Sequence, residues 1–485
     1  MTNVQPIDTV ALAALEAELA RQLKLVDAIG AEWTRPRSHP EGHVYDVVIV
    51  GGGQSGLATA YGLKRERVNN ILILDESKEG FEGPWETYAR MVTLRTPKGL
   101  TPIDYGLPAL TPQAWYEACY GARAWEELDK IPRGVWMEYL RWYRRVLDLP
   151  VRNEAKVERI VPLDGGIHRV MLAGGEAVLA RKVVLATGIQ GGGEWHTPPM
   201  IRDALPRALY AHTSEAIDFE ALKGKRIGIL GGGASAFDNA NWALEQGVGE
   251  VHVFMRRAQM PRINPIRFME KVGLAARYPA LSDTEKYRAM ASFLSHNQPP
   301  TNDTFNRAAS WPGFALHMAS PWESVAHEDG AVVVTTPHAR FTFDFVILST
   351  GLISDPRLRP ELAEVAGHIA LWGDKVKMPQ GQRNALIDAH PYLGPAFEFT
   401  PRDEAGVAPL HGLFAFNYSA LISLGLSASA LSGMNKALPR LVRGIADQLF
   451  LDDREVLLDA FIAYEEEEFL GQWPLETEPA GESVE

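Results

Sequence analysis

Two glycine-rich stretches decide the fold of this chain, and each follows an apolar run. The first is Asp46-Val47-Val48-Ile49-Val50-Gly51-Gly52-Gly53-Gln54-Ser55-Gly56, and the second is Arg226-Ile227-Gly228-Ile229-Leu230-Gly231-Gly232-Gly233-Ala234-Ser235-Ala236. The first glycine of such a turn allows the tight bend, the second admits a pyrophosphate to the backbone, and the third position permits close helix packing. Two such turns can hold two dinucleotides at once. The sequence therefore predicts an α/β protein with two Rossmann-like dinucleotide-binding domains.

The context of each turn strengthens this prediction, because a helix-like run follows at Leu57-Ala58-Thr59-Ala60-Tyr61 and again from Phe237 to Leu244. A pyrophosphate would lie on unpaired backbone N–H groups at the positive end of each helix. The residues expected to hold the two pyrophosphates are Gly51, Gly53, Gln54, Ser55 and Gly56 in the first turn and Gly231, Gly233, Ala234, Ser235 and Ala236 in the second.

The residues that follow the next strand distinguish the two sites. After the first turn the chain returns as Ile71-Leu72-Ile73-Leu74-Asp75, with Glu76 beside it. An acidic side chain there accepts hydrogen bonds from ribose hydroxyls, which suits a dinucleotide without a 2′-phosphate, such as FAD or NAD. After the second turn Arg256 and Arg257 occupy the equivalent place. Guanidinium groups match a phosphate, so we expect NADPH at the second site.

Composition narrows the class of protein. The chain has 485 residues, enough for two or three domains, and a net charge of −13. This charge argues against nucleic acid or an anionic membrane as the main partner. Its one cysteine, Cys119, leaves no pair for a redox disulfide. We expect a cytoplasmic protein without a metal site, and the sequence leaves a homo-oligomer open.

The expected organisation alternates between the two nucleotide-binding units. Two near copies of a buried strand end in Thr187-Gly188 and Thr350-Gly351, where we expect the cofactors or the crossing between domains. The predicted segments are an N-terminal helix and linker (1–42), the first part of an FAD-binding domain (43–195), an NADPH-binding domain (196–340) with a mostly helical insertion (258–322), the second part of the FAD-binding domain (341–450), and a C-terminal helix with an acidic tail (451–485).

In the order of these parts the chain resembles the class B flavoprotein monooxygenases, across roughly residues 43 to 450. The motifs that carry the resemblance are the first fingerprint, Gly83-Pro84-Trp85, Ala186-Thr187-Gly188, the second fingerprint with its arginines, and the second Thr-Gly strand. The resemblance implies FAD at the first site and NADPH at the second. It also implies cofactor contacts from Trp85, Thr187, Gly188, Thr350 and Gly351.

The resemblance departs from the family pattern in the linker, where the motif has the form F-x-G-x-x-x-H. His212 fits the histidine, but Pro206 and Ala208 stand where Phe and Gly are expected. Arg95 lies in a segment resembling the one that runs close to the flavin ring, where flavin-containing enzymes often have Asn. The candidate catalytic residues are Arg95, Gln54, Asn417 and His212.

The family chemistry implies that NADPH reduces FAD, that O₂ adds to give a flavin C4a-(hydro)peroxide, and that one oxygen atom passes to a small molecule. The cofactor carries the difficult step, while the protein orients it and excludes water. We expect oxygen transfer to nitrogen or sulfur. Three alternatives stay open: Baeyer–Villiger oxygenation of a ketone, an NADPH-dependent flavin reductase or oxidase without oxygen insertion, and a flavin-binding protein that acts through a partner.

Overall fold

The computed structural model describes residues 7–28, 30–100, 103–296, 298–428, 430–469, 471 and 473. Its strands are β1 Ser38–His39, β2 Gly42–Val50, β3 Ile71–Leu74, β4 Val151–Arg152, β5 Val157–Leu163, β6 Ile167–Leu172, β7 Ala177–Leu185, β8 Gly193–Trp195, β9 Tyr210–His212, β10 Arg226–Leu230, β11 Glu250–Phe254, β12 Phe314–His317, β13 Ser324–Glu328, β14 Ala331–Thr335, β15 Arg340–Phe343, β16 Phe345–Leu348, β17 Leu352–Ser354 and β18 Leu413–Ala415.

The α-helices lie between and after these strands. They are α1 Thr9–Leu25, α2 Gln54–Arg65, α3 Pro112–Tyr120, α4 Ala122–Glu127, α5 Arg133–Val146, α6 Pro199–Arg202, α7 Ala234–Glu245, α8 Pro265–Met269, α9 Val272–Arg277, α10 Asp283–Ser295, α11 Asn302–Ala309, α12 Trp372–Lys375, α13 Ala385–Asp388, α14 Val407–Leu410, α15 Leu421–Leu424 and α16 Leu431–Ile462. No helix among the described residues is long and apolar enough to cross a membrane.

Two sheets form the framework, a mixed one with a parallel core from β4 to β7 and antiparallel strands β5 and β6, and an all-parallel one. The first has the order β4-β3-β2-β7-β6-β5, with β18 added in parallel to β7 and β1 paired with β2. The second has the order β12-β11-β10-β16-β9, and all its strands are parallel. Each glycine fingerprint leaves the carboxyl end of a central strand, β2 or β10, which is where open parallel sheets bind ligands. The predicted fold class is confirmed.

The chain crosses between the two halves at β8 and β17, which pair with each other as two antiparallel strands. Strand β16 pairs with β10 in the second sheet, so the chain returns to the first half after Gly351 and not at residue 341. Helix α16 runs unbroken through residue 450, where we had expected a boundary, because Asp453 beyond that point is buried and forms an ion pair with Arg181 of β7 at 2.9 Å.

The insertion expected at 258–322 also differs from its prediction, because β12 lies inside that range and pairs with β11 as part of the second sheet. The helical part therefore ends with α11. Helices α8 to α10 pack against the segment 372–426 of the first half, in a cluster that includes Tyr278, Tyr287 and Trp372. This arrangement places the helical insertion over the junction between the two halves.

Candidate active site between two dinucleotide cradles

The first fingerprint forms a tight turn that only glycine can make. Gly51 has φ +106°, and a Cβ there would lie 2.5 Å from the carbonyl oxygen of Ala186. A Cβ at Gly56 would overlap the carbonyl oxygen of Gly51, so the third glycine lets α2 pack on β2. Gly53 differs, because its nearest neighbour would be the Gly83 Cα at 3.7 Å. Its outer face is where a pyrophosphate could approach the helix N-terminus.

The acidic residue at the end of β3 lies beside this turn. Asp75 is buried, and its carboxylate accepts hydrogen bonds from the backbone N–H groups of Gly52 (2.6 Å) and Ser77 (2.8 Å). Glu76 is exposed, and its carboxylate is 4.0 Å from Lys156. Asp75 is thus fixed by two backbone groups and keeps lone pairs that could accept from a ribose hydroxyl, whereas Glu76 is not fixed by a close partner.

A second segment of the chain lies in front of the first turn. The segment before α16 lies there, because the Ser55 hydroxyl donates to the Ala428 carbonyl at 3.2 Å. Helix α16 has no side-chain cap at its N-terminus. The hydroxyl oxygens of Ser427 and Ser432 and the indole nitrogen of Trp85 are buried without a hydrogen-bond partner in the described chain. Orphaned polar groups and an uncapped helix N-terminus suit the oxygens and nitrogens of a flavin.

The predicted contacts Gln54 and Asn417 make hydrogen bonds within the protein. The Gln54 side-chain oxygen accepts from the indole N–H of Trp136 at 3.0 Å. The amide nitrogen of Asn417 donates to Thr187 Oγ1 and to the Gly191 carbonyl, both at 3.2 Å. Its oxygen accepts from the Ser419 backbone and hydroxyl. Asn417 therefore ties β18 to the turn at Thr187 and Gly188, and its catalytic role stays a prediction.

The second fingerprint repeats the geometry of the first. Gly231 has φ +116°, and a Cβ there would overlap the carbonyl oxygen of Ser349, just before Thr350. A Cβ at Gly233 would meet no described atom within 4 Å. This open face, together with the exposed Ser235 and the buried Ala234 and Ala236 of α7, could form a cradle for a second pyrophosphate.

The residues around the second cradle have distinct partners. Arg256 is exposed, and the Arg257 guanidinium donates to the Ser295 carbonyl at 3.2 Å. Both leave N–H groups that could meet a phosphate. Thr350 donates its hydroxyl to the His196 carbonyl, and the Gly351 carbonyl accepts from the His196 N–H at 2.9 Å. The second Thr-Gly turn therefore lies at the crossing between the halves.

Arg95 lies at the junction of the two halves, and sequence reasoning had missed its partner. Its guanidinium forms an ion pair with Asp238 on α7, two residues beyond the second fingerprint. The neighbouring Arg90 is buried and donates to the Thr213 and Glu215 carbonyls and to the side chain of Asn239. Burial and the nearby Arg133 lower the pKa of Arg90 to about 10, so it stays charged at neutral pH. These two arginines join the halves.

His212 lies in the same crossing region, at the end of β9. Its ring is buried and stacks on Trp195 of β8, with centroids 4.7 Å apart. Its Nδ1 accepts a hydrogen bond from the Ser214 N–H at 3.2 Å. Burial lowers the pKa of His212 to about 4, so the ring is neutral at pH 7. The contacts favour a role in shaping the crossing; a catalytic role stays a prediction.

The chain is similar to known FAD-dependent enzymes. Residues 48–267 match the family described as pyridine nucleotide-disulphide oxidoreductase, although the chain has a single cysteine. An FAD-dependent urate hydroxylase from Xanthomonas campestris pv. campestris is 59% identical over 468 residues, which cover 96% of this chain and 99% of that protein. The chain belongs to the class B flavoprotein monooxygenases. The resemblance in the sequence is thereby confirmed, and so is FAD as a cofactor.

Solved structures of class B monooxygenases share the fold. An ornithine hydroxylase from Pseudomonas aeruginosa matches with a TM-score of 0.66 and 18% identity, covering 84% of this chain and 100% of that one. An L-lysine 6-monooxygenase from Pseudomonas syringae matches with a TM-score of 0.62 and 17% identity, covering 83% and 99%. At these identities the likeness extends to the architecture alone. This class B monooxygenase is an FAD-dependent oxidoreductase with a two-cradle framework.

Proposed function

We propose that the enzyme hydroxylates urate, or an oxopurine with the same ring edges, with FAD as its bound cofactor and NADPH and O₂ as co-substrates. In this reaction NADPH gives up a hydride, one oxygen atom of O₂ enters the substrate, and the other leaves as water with a proton from solvent. The observation that carries the proposal is the 59% identity to a urate hydroxylase along nearly the whole chain. The sequence alone had favoured oxygen transfer to nitrogen or sulfur, and that reaction is kept as the alternative outcome of the test.

The protein's own residues would bind and orient the reactants. Bound FAD supplies hydride acceptance and oxygen activation. Gly53, with its open outer face, would admit the FAD pyrophosphate, and Asp75 would accept from a ribose hydroxyl. The helical insertion covers the junction and would exclude water from the reacting atoms.

A substrate panel tests the reaction class. Purified enzyme with bound FAD is given NADPH and urate, an amine, a sulfide or a ketone in parallel, and NADPH, substrate, product and hydrogen peroxide are measured together. We expect one urate consumed per NADPH, with one atom of isotopically labelled O₂ in the product. Oxygenated amine or sulfide would support the alternative, and peroxide formed in place of any product would indicate a flavin oxidase.

NADPH preference rests on Arg256 and Arg257. Replacing both by Ala removes charged contacts to a 2′-phosphate, each worth about 1.5–3 kcal/mol. We expect the KM for NADPH to rise at least about tenfold and the KM for NADH to change little. Arg288→Ala, at an exposed arginine of α10, is the control for a general change in charge. Equal effects on both nucleotides would contradict the assignment.

A further inference from the structure

Tyr418 and two polar side chains near it lack hydrogen-bond partners in the described part of the chain. His390 Nε2 and Ser354 Oγ are buried without a hydrogen bond, and each of these residues is 4% exposed. The half-buried Tyr418 also makes no hydroxyl hydrogen bond to a described residue, and its ring centroid is 6.4 Å from that of His390. Buried polar groups are nearly always paired in folded proteins, so an unpaired set calls for a ligand or another specific reason.

The hydrogen bond made by His390 Nδ1 determines which ring nitrogen carries the proton. Nδ1 donates to the Leu386 carbonyl at 2.6 Å, so Nε2 carries a lone pair and acts as an acceptor. Burial lowers the pKa of His390 to about 4, which keeps the ring neutral at pH 7. The nearby carboxylate of Asp355 is bound by Arg357, at 2.6 Å from its Nη2. The set therefore offers one acceptor and two hydroxyls without a free charge.

The position of this set links it to the flavin side of the molecule. Tyr418 follows Asn417, and its backbone N–H donates to the Gly188 carbonyl at 3.1 Å. A Cβ at Gly192 would lie 3.3 Å from both Ser354 Oγ and Tyr418 Cβ, so the Ser354 hydroxyl lies beside the base of the Tyr418 side chain. Tyr418 also packs against the apolar cluster that joins the insertion to α15. The polar groups thus lie in an apolar wall beside the Thr187–Gly188 turn.

We propose that His390, Ser354 and Tyr418 form the hydrogen-bonding edge that recognises the lactam groups of a planar heterocyclic substrate. This assignment rests on the proposed function and gives it specific residues. A ring N–H would donate to His390 Nε2, and ring carbonyls would accept from the two hydroxyls. Because a site built to hydrogen-bond a substrate leaves buried groups unpaired when the substrate lacks them, such an edge discriminates strongly.

The test measures binding without turnover, by calorimetric titration of urate into the oxidised holoenzyme in the absence of NADPH. Ser354→Ala and Tyr418→Phe each remove one hydroxyl, and we expect each to weaken binding about tenfold. His390→Asn keeps a donor near Leu386 and removes the acceptor at Nε2, so we expect a similar loss. His390→Gln keeps a polar atom near the Nε2 position and should recover part of the affinity.

A matched control is available in the first sheet. His168 is also buried, with Nε2 donating to the His411 carbonyl at 2.7 Å and Nδ1 unpaired among the described residues. His168→Gln removes that unpaired atom and should leave urate binding unchanged. If His390 were only structural, His390→Asn would bind urate normally and His390→Gln would be impaired, which would overturn the assignment.

The two proposals fail in different ways. A wild-type holoenzyme that hydroxylates urate while Ser354→Ala, Tyr418→Phe and His390→Asn bind urate normally overturns this inference and leaves the proposed function standing. A wild-type holoenzyme that neither binds nor oxidises urate overturns the proposed function, and this inference with it. Flavin content, measured from absorbance in every variant, separates a loss of the substrate site from a loss of FAD.

Discussion

Gly51 and Gly53 lie two residues apart, but the reason for having glycine differs between the two positions. Gly51 has a left-handed φ, and the protein's own backbone leaves no room for a side chain. Gly53 has φ −73°, which any residue adopts, and a Cβ there would make only ordinary contacts. The protein without cofactor would therefore tolerate Ala at Gly53, and the added methyl group would instead obstruct a pyrophosphate bound at this turn.

We predict that Gly53→Ala folds normally but is purified with much less than one FAD per chain. The measurement is the ratio of flavin to protein absorbance, combined with thermal unfolding of the cofactor-free protein. Gly99→Ala, where no atom lies within 4 Å of the added Cβ, is the control. A fully loaded Gly53→Ala enzyme would contradict the location of the FAD pyrophosphate.

Gly233 allows the matching test at the second cradle. Its φ of −78° is ordinary and its Cβ position is open, so Gly233→Ala should keep its FAD. We expect the KM for NADPH to rise at least about tenfold, because the added methyl group would meet the second pyrophosphate. Loss of FAD from this variant, with NADPH binding intact, would mean that the two cradles have been assigned the wrong way round.

At the scale of single residues, the sequence predicts those features that depend only on neighbouring residues along the chain. Spacing alone indicated the two glycine turns and the acidic strand end, because each needs only a few consecutive residues. The partner of Arg95 could not be found in this way, since Asp238 lies 143 positions away and meets it only when the halves dock. His390 and Ser354 were missed for the same reason, because neither carries a local motif.

At the scale of elements, the helical insertion is fixed to the first half by Tyr278. Its hydroxyl donates to the Ile422 carbonyl of α15 at 3.0 Å, and its ring lies against Gly425. Helical runs in the insertion could be predicted from periodicity. Its docking site could not, because the contact depends on side chains more than a hundred residues apart.

We predict that Gly425→Ala loosens the insertion. The added Cβ would lie 2.8 Å from the Tyr278 ring, and the residue has φ +75°. We expect faster proteolysis within residues 258–295 and more peroxide released per NADPH, because a displaced cover admits water. Gly330→Ala is the matched control, since Gly330 has φ +79° but no atom within 4 Å of its Cβ position. If both variants showed the same proteolysis and peroxide release, the effect would come from backbone strain alone.

For the whole molecule, buried histidines predict how stability depends on pH. His168, His212 and His390 lie in three different regions, and burial lowers the pKa of each to about 4. In the unfolded chain each has a pKa of about 6.5, so the unfolded state binds more protons between these values. Stability should therefore be fully present above pH 6.5 and fall as the pH drops toward about 4.

Urea unfolding at pH 7 and at pH 5 measures this loss. His168→Gln removes one of the three groups without touching the candidate active site, so its free energy of unfolding should fall less steeply between the two pH values. A wild-type stability that stays constant across this interval would contradict the neutral, buried state of these histidines.

The ion pair between Arg95 and Asp238 links the two halves of the molecule. Asp238 lies on α7, whose N-terminus is the proposed NADPH cradle, and Arg95 follows the Gly83-Pro84-Trp85 segment of the first half. The pair would therefore help to orient a bound nicotinamide relative to the flavin, and hydride transfer requires the reacting atoms at about 3–3.5 Å. We predict that Arg95→Gln and Asp238→Asn each slow anaerobic flavin reduction by NADPH, and that the double variant is no slower than the worse single one.

Arg340→Gln, which breaks an exposed ion pair with Glu328 inside the second half, is the control, and its FAD should be reduced at the normal rate. Additive losses in the double variant would mean that the two residues act separately and that the halves are oriented by other contacts, such as those of Arg90.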